Sequence, residues 1–122
     1  MKQNKVWGET SEIWAGNNCE VHLINAKAGG YCSKHLHQHK FNLFHVEHGE
    51  LQIEIWKTGG LIDKTVLIDG ESTVVPPQVF HRFTALNDTK ALEIYWVKIE
   101  SEDIEREDQG GVKTIEASNQ RI

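Results

Sequence analysis

The sequence is poor in the features that staple a chain or carry it through a membrane. Its two cysteines, Cys19 and Cys32, form no CxxC pair, which excludes a disulfide framework or a cysteine metal cluster; in a reducing compartment both read as free thiols. No apolar run approaches the roughly 18 residues of a membrane span. The opening Met1-Lys-Gln-Asn-Lys-Val-Trp-Gly8 lacks the apolar core of a secretory signal, so a cytoplasmic protein is expected. Positive charge is short as well. The 13 Lys and Arg against 18 Asp and Glu give a net charge of -5, which argues against nucleic acid or an anionic membrane as partner, because both need a basic patch. Much of the acid lies in one run, Glu100, Glu102, Asp103, Glu105, Glu107 and Asp108, which reads as solvated chain.

Glycine, by contrast, punctuates the chain at Gly29-Gly30, Gly49, Gly59-Gly60, Gly70 and Gly110-Gly111, with Pro76-Pro77 between. Short segments of strand-type composition bounded by such turn residues predict an antiparallel all-β domain. Strands are expected over 20–26, from 42 onward, and over 51–55, 61–68, 73–75, 79–84 and 91–99. Helix has room for only a turn over 101–107, with Ser101 as its N-cap. Leu51-Gln-Ile53-Glu-Ile55 alternates in the manner of a strand with one wet face, whereas Phe41, Leu43, Phe44 and Val46 supply apolar groups to both parities. That reading turns Asn42, Phe44 and Val46 inward and leaves Phe41 and Leu43 outward, to be covered within the chain or by a second copy in a homodimer. Trp7, Trp14, Trp56 and Trp96 are spread along the chain and read as core or rim fillers, Trp7 fixing an N-terminal arm across the barrel or across a partner subunit.

The chemistry is concentrated in histidine. Five of the seven lie between 35 and 48, and Gly30-Tyr-Cys-Ser-Lys-His35-Leu-His37-Gln-His39-Lys-Phe-Asn42 sets three at alternate positions, which share one face if the segment is a strand. Imidazoles aimed into one space are how a metal site looks in sequence. An HxH alone is weak, but here it is followed by Asn42 and Gly49, and then by a second block, Gly70-x5-Pro76-x-Gln78-x2-His81.

These two blocks resemble the paired motifs of the cupin superfamily. The resemblance implies a single-domain double-stranded β-helix, or jelly-roll barrel, with residues 1–109 forming the barrel and its N-terminal arm and 110–122 a loosely held tail. It also implies metal ligands at His35, His37 and His81, with Asn42 at the place of the family's Glu. Val6-Trp7-Gly8, the stretch Gly70-Glu-Ser-Thr-Val-Val-Pro-Pro-Gln-Val-Phe-His81-Arg82-Phe, and Glu102-Asp-Ile104-Glu-Arg106-Glu-Asp108 further resemble the type II mannose-6-phosphate isomerase domain, usually the C-terminal part of a bifunctional mannose-1-phosphate guanylyltransferase. That domain would have Gln at His35, Glu at Asn42, Gly at Gln78 and an aromatic-Gly-Arg ending at Gln109-Gly-Gly111.

A histidine-rich set suits a divalent transition metal, Zn, Fe, Ni, Co or Mn, better than Mg or Ca. The isomerase resemblance implies a phosphorylated or nucleotide-linked sugar as ligand, and a proton moved between adjacent carbons by a base. His39, His45 and His48 are candidates for that base; parity puts His48 on Asn42's face. Arg82 is the candidate for gripping a phosphate. A neutral three-histidine set also resembles that of Fe(II) thiol and diketone dioxygenases, and a non-catalytic ligand-binding cupin is a third reading.

Overall fold

A computed structural model describes residues 2–98 and 102–115. Among these described residues nine strands carry the fold: β1 (Lys2–Lys5), β2 (Gly8–Ala15), β3 (Cys19–Ala26), β4 (Phe41–His48), β5 (Leu51–Trp56), β6 (Ile62–Leu67), β7 (Ser72–Val75), β8 (His81–Ala85) and β9 (Thr89–Trp96). All pairings are antiparallel. A six-stranded sheet runs β1-β2-β3-β9-β4-β7 and a three-stranded sheet β6-β5-β8, giving the expected double-sheet jelly roll. The helical turn expected over 101–107 does not form in its described part, 102–107, and Ser101 lies outside the described residues.

Alternation places the core between the sheets. Ile24, Phe44, Val46, Val75 and Ala91 from the large sheet meet Leu51, Ile53, Phe83 and Ala85 from the small one, all almost fully buried. Each large side chain there contributes about 1.5–3 kcal/mol through its removal from water. On β4 the expected parity holds at Asn42, Phe44 and Val46, which face inward. It breaks after Val46, where the β4–β9 register slips so that Val46 opposes Ala91 but His48 opposes Lys90. This irregularity turns His48 out of the barrel, against the parity expectation.

Two further features depart from the sequence reading. The HxH segment is not a strand: residues 31–40 form an irregular loop tied to β8 by isolated bridges Tyr31↔Thr84 and His35↔His81. In addition, β1 and β2 form a hairpin that extends the large sheet. It turns at Gly8, whose φ of +149° and closeness to the Asn25 carbonyl leave no room for a side chain. Trp7 follows from that hairpin into the barrel and packs edge-on against Phe83 with ring centroids 4.9 Å apart.

Candidate metal centre

Three imidazoles converge from two parts of the chain. His35 and His37 come from the loop and His81 from the first residue of β8, and their ligating nitrogens all lie within 4.8 Å of one another. The bridge does the positioning: the His35 N–H donates to the His81 carbonyl (3.1 Å) and the His81 N–H to the His35 carbonyl (2.8 Å). His37 is fixed by the Gln78 N–H, which donates to its carbonyl at 2.7 Å. Gln78 adopts φ +65°, a left-handed conformation that costs a side-chain-bearing residue about 1–2 kcal/mol.

Hydrogen bonds also set the tautomers. A carbonyl can only accept, so the Val79 carbonyl 3.0 Å from His81 Nδ1 and the Ser33 carbonyl 2.8 Å from His35 Nδ1 put the proton on Nδ1 in both rings. Their Nε2 atoms then carry lone pairs. Burial, helped by the neighbouring His35 and His81, pushes His37 down to about 4, and burial lowers His81 too, so both are neutral at pH 7.

Two observations show that these residues fit a cation. The buried Nε2 of His37 has no hydrogen-bond partner, an arrangement that is expensive without one. Meanwhile Asn42, itself fully buried, directs its amide oxygen to within 3.3 Å of His81 Nε2, so that two lone-pair atoms face each other. A divalent ion satisfies both.

The other residues singled out from sequence lie elsewhere. His48 is exposed beside Asp69 at 3.4 Å, and His39 is exposed in the loop. His45 projects from the other face of β4 from Asn42 and meets the Ser72 hydroxyl at 2.6 Å. Arg82 follows strand parity to the outer face, where its Nε donates to the Cys32 carbonyl at 3.0 Å and its guanidinium lies over Tyr31. Lys34 likewise sits over Trp56, 4.3 Å from the ring. Neither cation turns inward.

The residue that sequence reasoning missed is Glu93. On β9 the apolar Leu92, Ile94 and Trp96 suggest an inward face and Glu93 an outward one, but the strand is inverted. Ala91, Glu93 and Tyr95 face the barrel, and Leu92, Ile94 and Trp96 face out. Burial raises the Glu93 carboxyl above the usual range, against hydrogen bonds from Tyr95 and Asn42. Glu93 and His35 line a cavity of about 830 Å³ with Trp7, His22, Tyr31 and Tyr95, and the hairpin residues Gln3 to Val6 form one of its walls. Tyr95 also packs against His37, 5.2 Å between centroids.

The Cupin domain family model matches residues 22–98, which contain all three histidines, strands β4 to β9 and most of β3. The chain belongs to the cupin family. No curated relative matches its sequence. Among solved structures this cupin is similar to KdgF from a Halomonas species, with 17% identity over 82% of this chain and 88% of that one and a TM-score of 0.70. An RmlC-like cupin from Shewanella frigidimarina is 21% identical over 84% and 86% of the two chains, with a TM-score of 0.67. The oxalate decarboxylase of Bacillus subtilis, described with Mn(II) centres, gives 16% identity and a TM-score of 0.71; 85% of this chain spans only 29% of that one. These likenesses establish the fold. Among the described residues no helix is long and apolar enough to cross a membrane.

Proposed function

We propose that this cupin binds a divalent transition metal on His35, His37 and His81, with Asn42 as a neutral fourth donor, and acts as a sugar isomerase of the type II mannose-6-phosphate isomerase kind. The observation that carries the metal reading is the buried, partnerless Nε2 of His37 beside two imidazoles whose Nε2 lone pairs are free. A bound ion supplies Lewis acidity to a substrate's carbonyl and hydroxyl oxygens. The chain supplies the rest. In this reading Glu93, which lines the cavity, takes the role of base in place of His39, His45 or His48, holding and moving a proton at a substrate carbon. Trp7 and the β1–β2 hairpin form one side of the cavity, and Tyr31 and Tyr95 offer rings and hydroxyls to a sugar. Lys5 is the one lysine or arginine among the cavity-lining residues, so the phosphate contact assigned to Arg82 passes to it.

The reading requires aldose–ketose interconversion of mannose 6-phosphate that a chelator abolishes and a divalent ion restores; no turnover by the metal-loaded protein would sink the isomerase assignment. A second reading follows from the donor set, which offers three imidazoles and an amide oxygen and no carboxylate. Such a set favours an Fe(II) oxygenase, which predicts iron in the purified protein and oxygen uptake with a small substrate. Support for a homodimer comes from the outer face of the large sheet, where Val21, Ile94, Leu43 and Val74 form one apolar row across β3, β9, β4 and β7.

A further inference from the structure

We propose that Glu93 holds Asn42 in the orientation that makes its amide oxygen a metal donor, so that Glu93 acts on the centre as a positioning residue one strand away. The proposal rests on the metal-centre reading above. Asn42 and Glu93 lie on the inner faces of adjacent strands. In the β4–β9 register Phe44 opposes Glu93 and Asn42 opposes Tyr95, which makes Asn42 and Glu93 diagonal neighbours within reach of a glutamate side chain.

Asn42 has no exposed surface, so both ends of its amide need partners inside the barrel. Its oxygen is turned to His81 Nε2 at 3.3 Å. Its NH2 group has the Leu43 carbonyl at 3.4 Å, too long to be the whole answer, and the buried carboxyl of Glu93 is the stronger acceptor beside it. Among the described residues no lysine or arginine pairs with Glu93. A carboxyl buried without a cation needs donors around it, and in this register the donors at hand are the Tyr95 hydroxyl and the amide of Asn42, its diagonal neighbour. Were the amide reversed, its oxygen would face the carboxyl oxygens and its NH2 would cap the His81 lone pair. Glu93 thus selects the orientation that leaves the three imidazoles and the amide oxygen pointing together. The carboxylate that the resemblance expects at 42 has a counterpart at 93, acting through the amide.

The test is Co2+ binding by the full-length chain, followed by titration calorimetry and by the visible ligand-field bands. Wild type binds Co2+, and His81→Ala does not; failure of that pair sinks the metal-centre reading itself. Given binding, Glu93→Gln weakens it by roughly 10–100-fold, the usual effect of removing the group that orients a ligand, and shifts the Co2+ bands. In an Asn42→Ala background the same Glu93→Gln change has no further effect on affinity or spectrum. Should Glu93→Gln fail to melt cooperatively, Glu93→Asp serves instead, with a smaller loss that also vanishes in the Asn42→Ala background. Wild-type affinity and spectrum in the Glu93 variant, or an equal loss with and without Asn42, would overturn the proposal.

Discussion

His37 is the residue on which most of the site's physics converges. In the unfolded chain it takes up a proton near 6.5, and in the folded, metal-free protein only near 4. Between those values the unfolded state holds the extra proton, so stability rises with pH across the window and is lost on acidification. Urea unfolding of the chelated protein is expected to show lower stability at pH 4.5 than at pH 7, with the difference reduced in His37→Gln. Gln78 gives a second test. Replacement by glycine ordinarily costs about 0.4–1 kcal/mol through the freer unfolded chain, but at φ +65° the strain relieved is about 1–2 kcal/mol. Gln78→Gly is therefore expected to leave the melting temperature unchanged or raise it. Gln78 stands where the resembled family has glycine, and its backbone angle explains why glycine suits the position.

Among the elements, the loop 31–40 and the β1–β2 hairpin were the least legible. Period-two spacing of histidines reads as strand, yet the loop's backbone pairs with β8 only through two isolated bridges, and its direction is fixed by contacts distant in sequence. The hairpin carries Lys2, Asn4, Glu9 and Glu12 with few apolar residues, so no alternation announced it; edge pairing with β3 forms it. One close approach joins the hairpin to Gly30, the residue that leads into this loop. A Cβ on Gly30 would stand 2.7 Å from the Trp7 carbonyl oxygen and 2.9 Å from Trp7 Cβ. Gly30→Ala is expected to push the arm from the cavity mouth and to cost about 1–3 kcal/mol, as overpacking does, read as a lower urea midpoint with reduced Trp7–Phe83 contact in tryptophan fluorescence. On β9 the sequence pattern concealed Glu93, because the outward Leu92, Ile94 and Trp96 are as apolar as a core face.

For the molecule as a whole, the antiparallel jelly roll was readable because glycine punctuation and alternation on β4 and β5 agree with the pairing; the triad was readable because two motif blocks fix both of its sources. The conflict over β4, with apolar groups on both parities, has its answer in the outer sheet face. If a second copy covers that face, Leu43→Asp converts a dimer to a monomer in light scattering without loss of fold; a wild-type monomer at micromolar concentration would contradict this. The central claim is the metal on three histidines, and the most direct test is the stoichiometry and affinity of Co2+ in the chelated, refilled protein beside its His81→Ala variant. The account predicts one tightly held ion per wild-type chain and none in the variant; no tight ion in wild type, or an ion retained without His81, would contradict it.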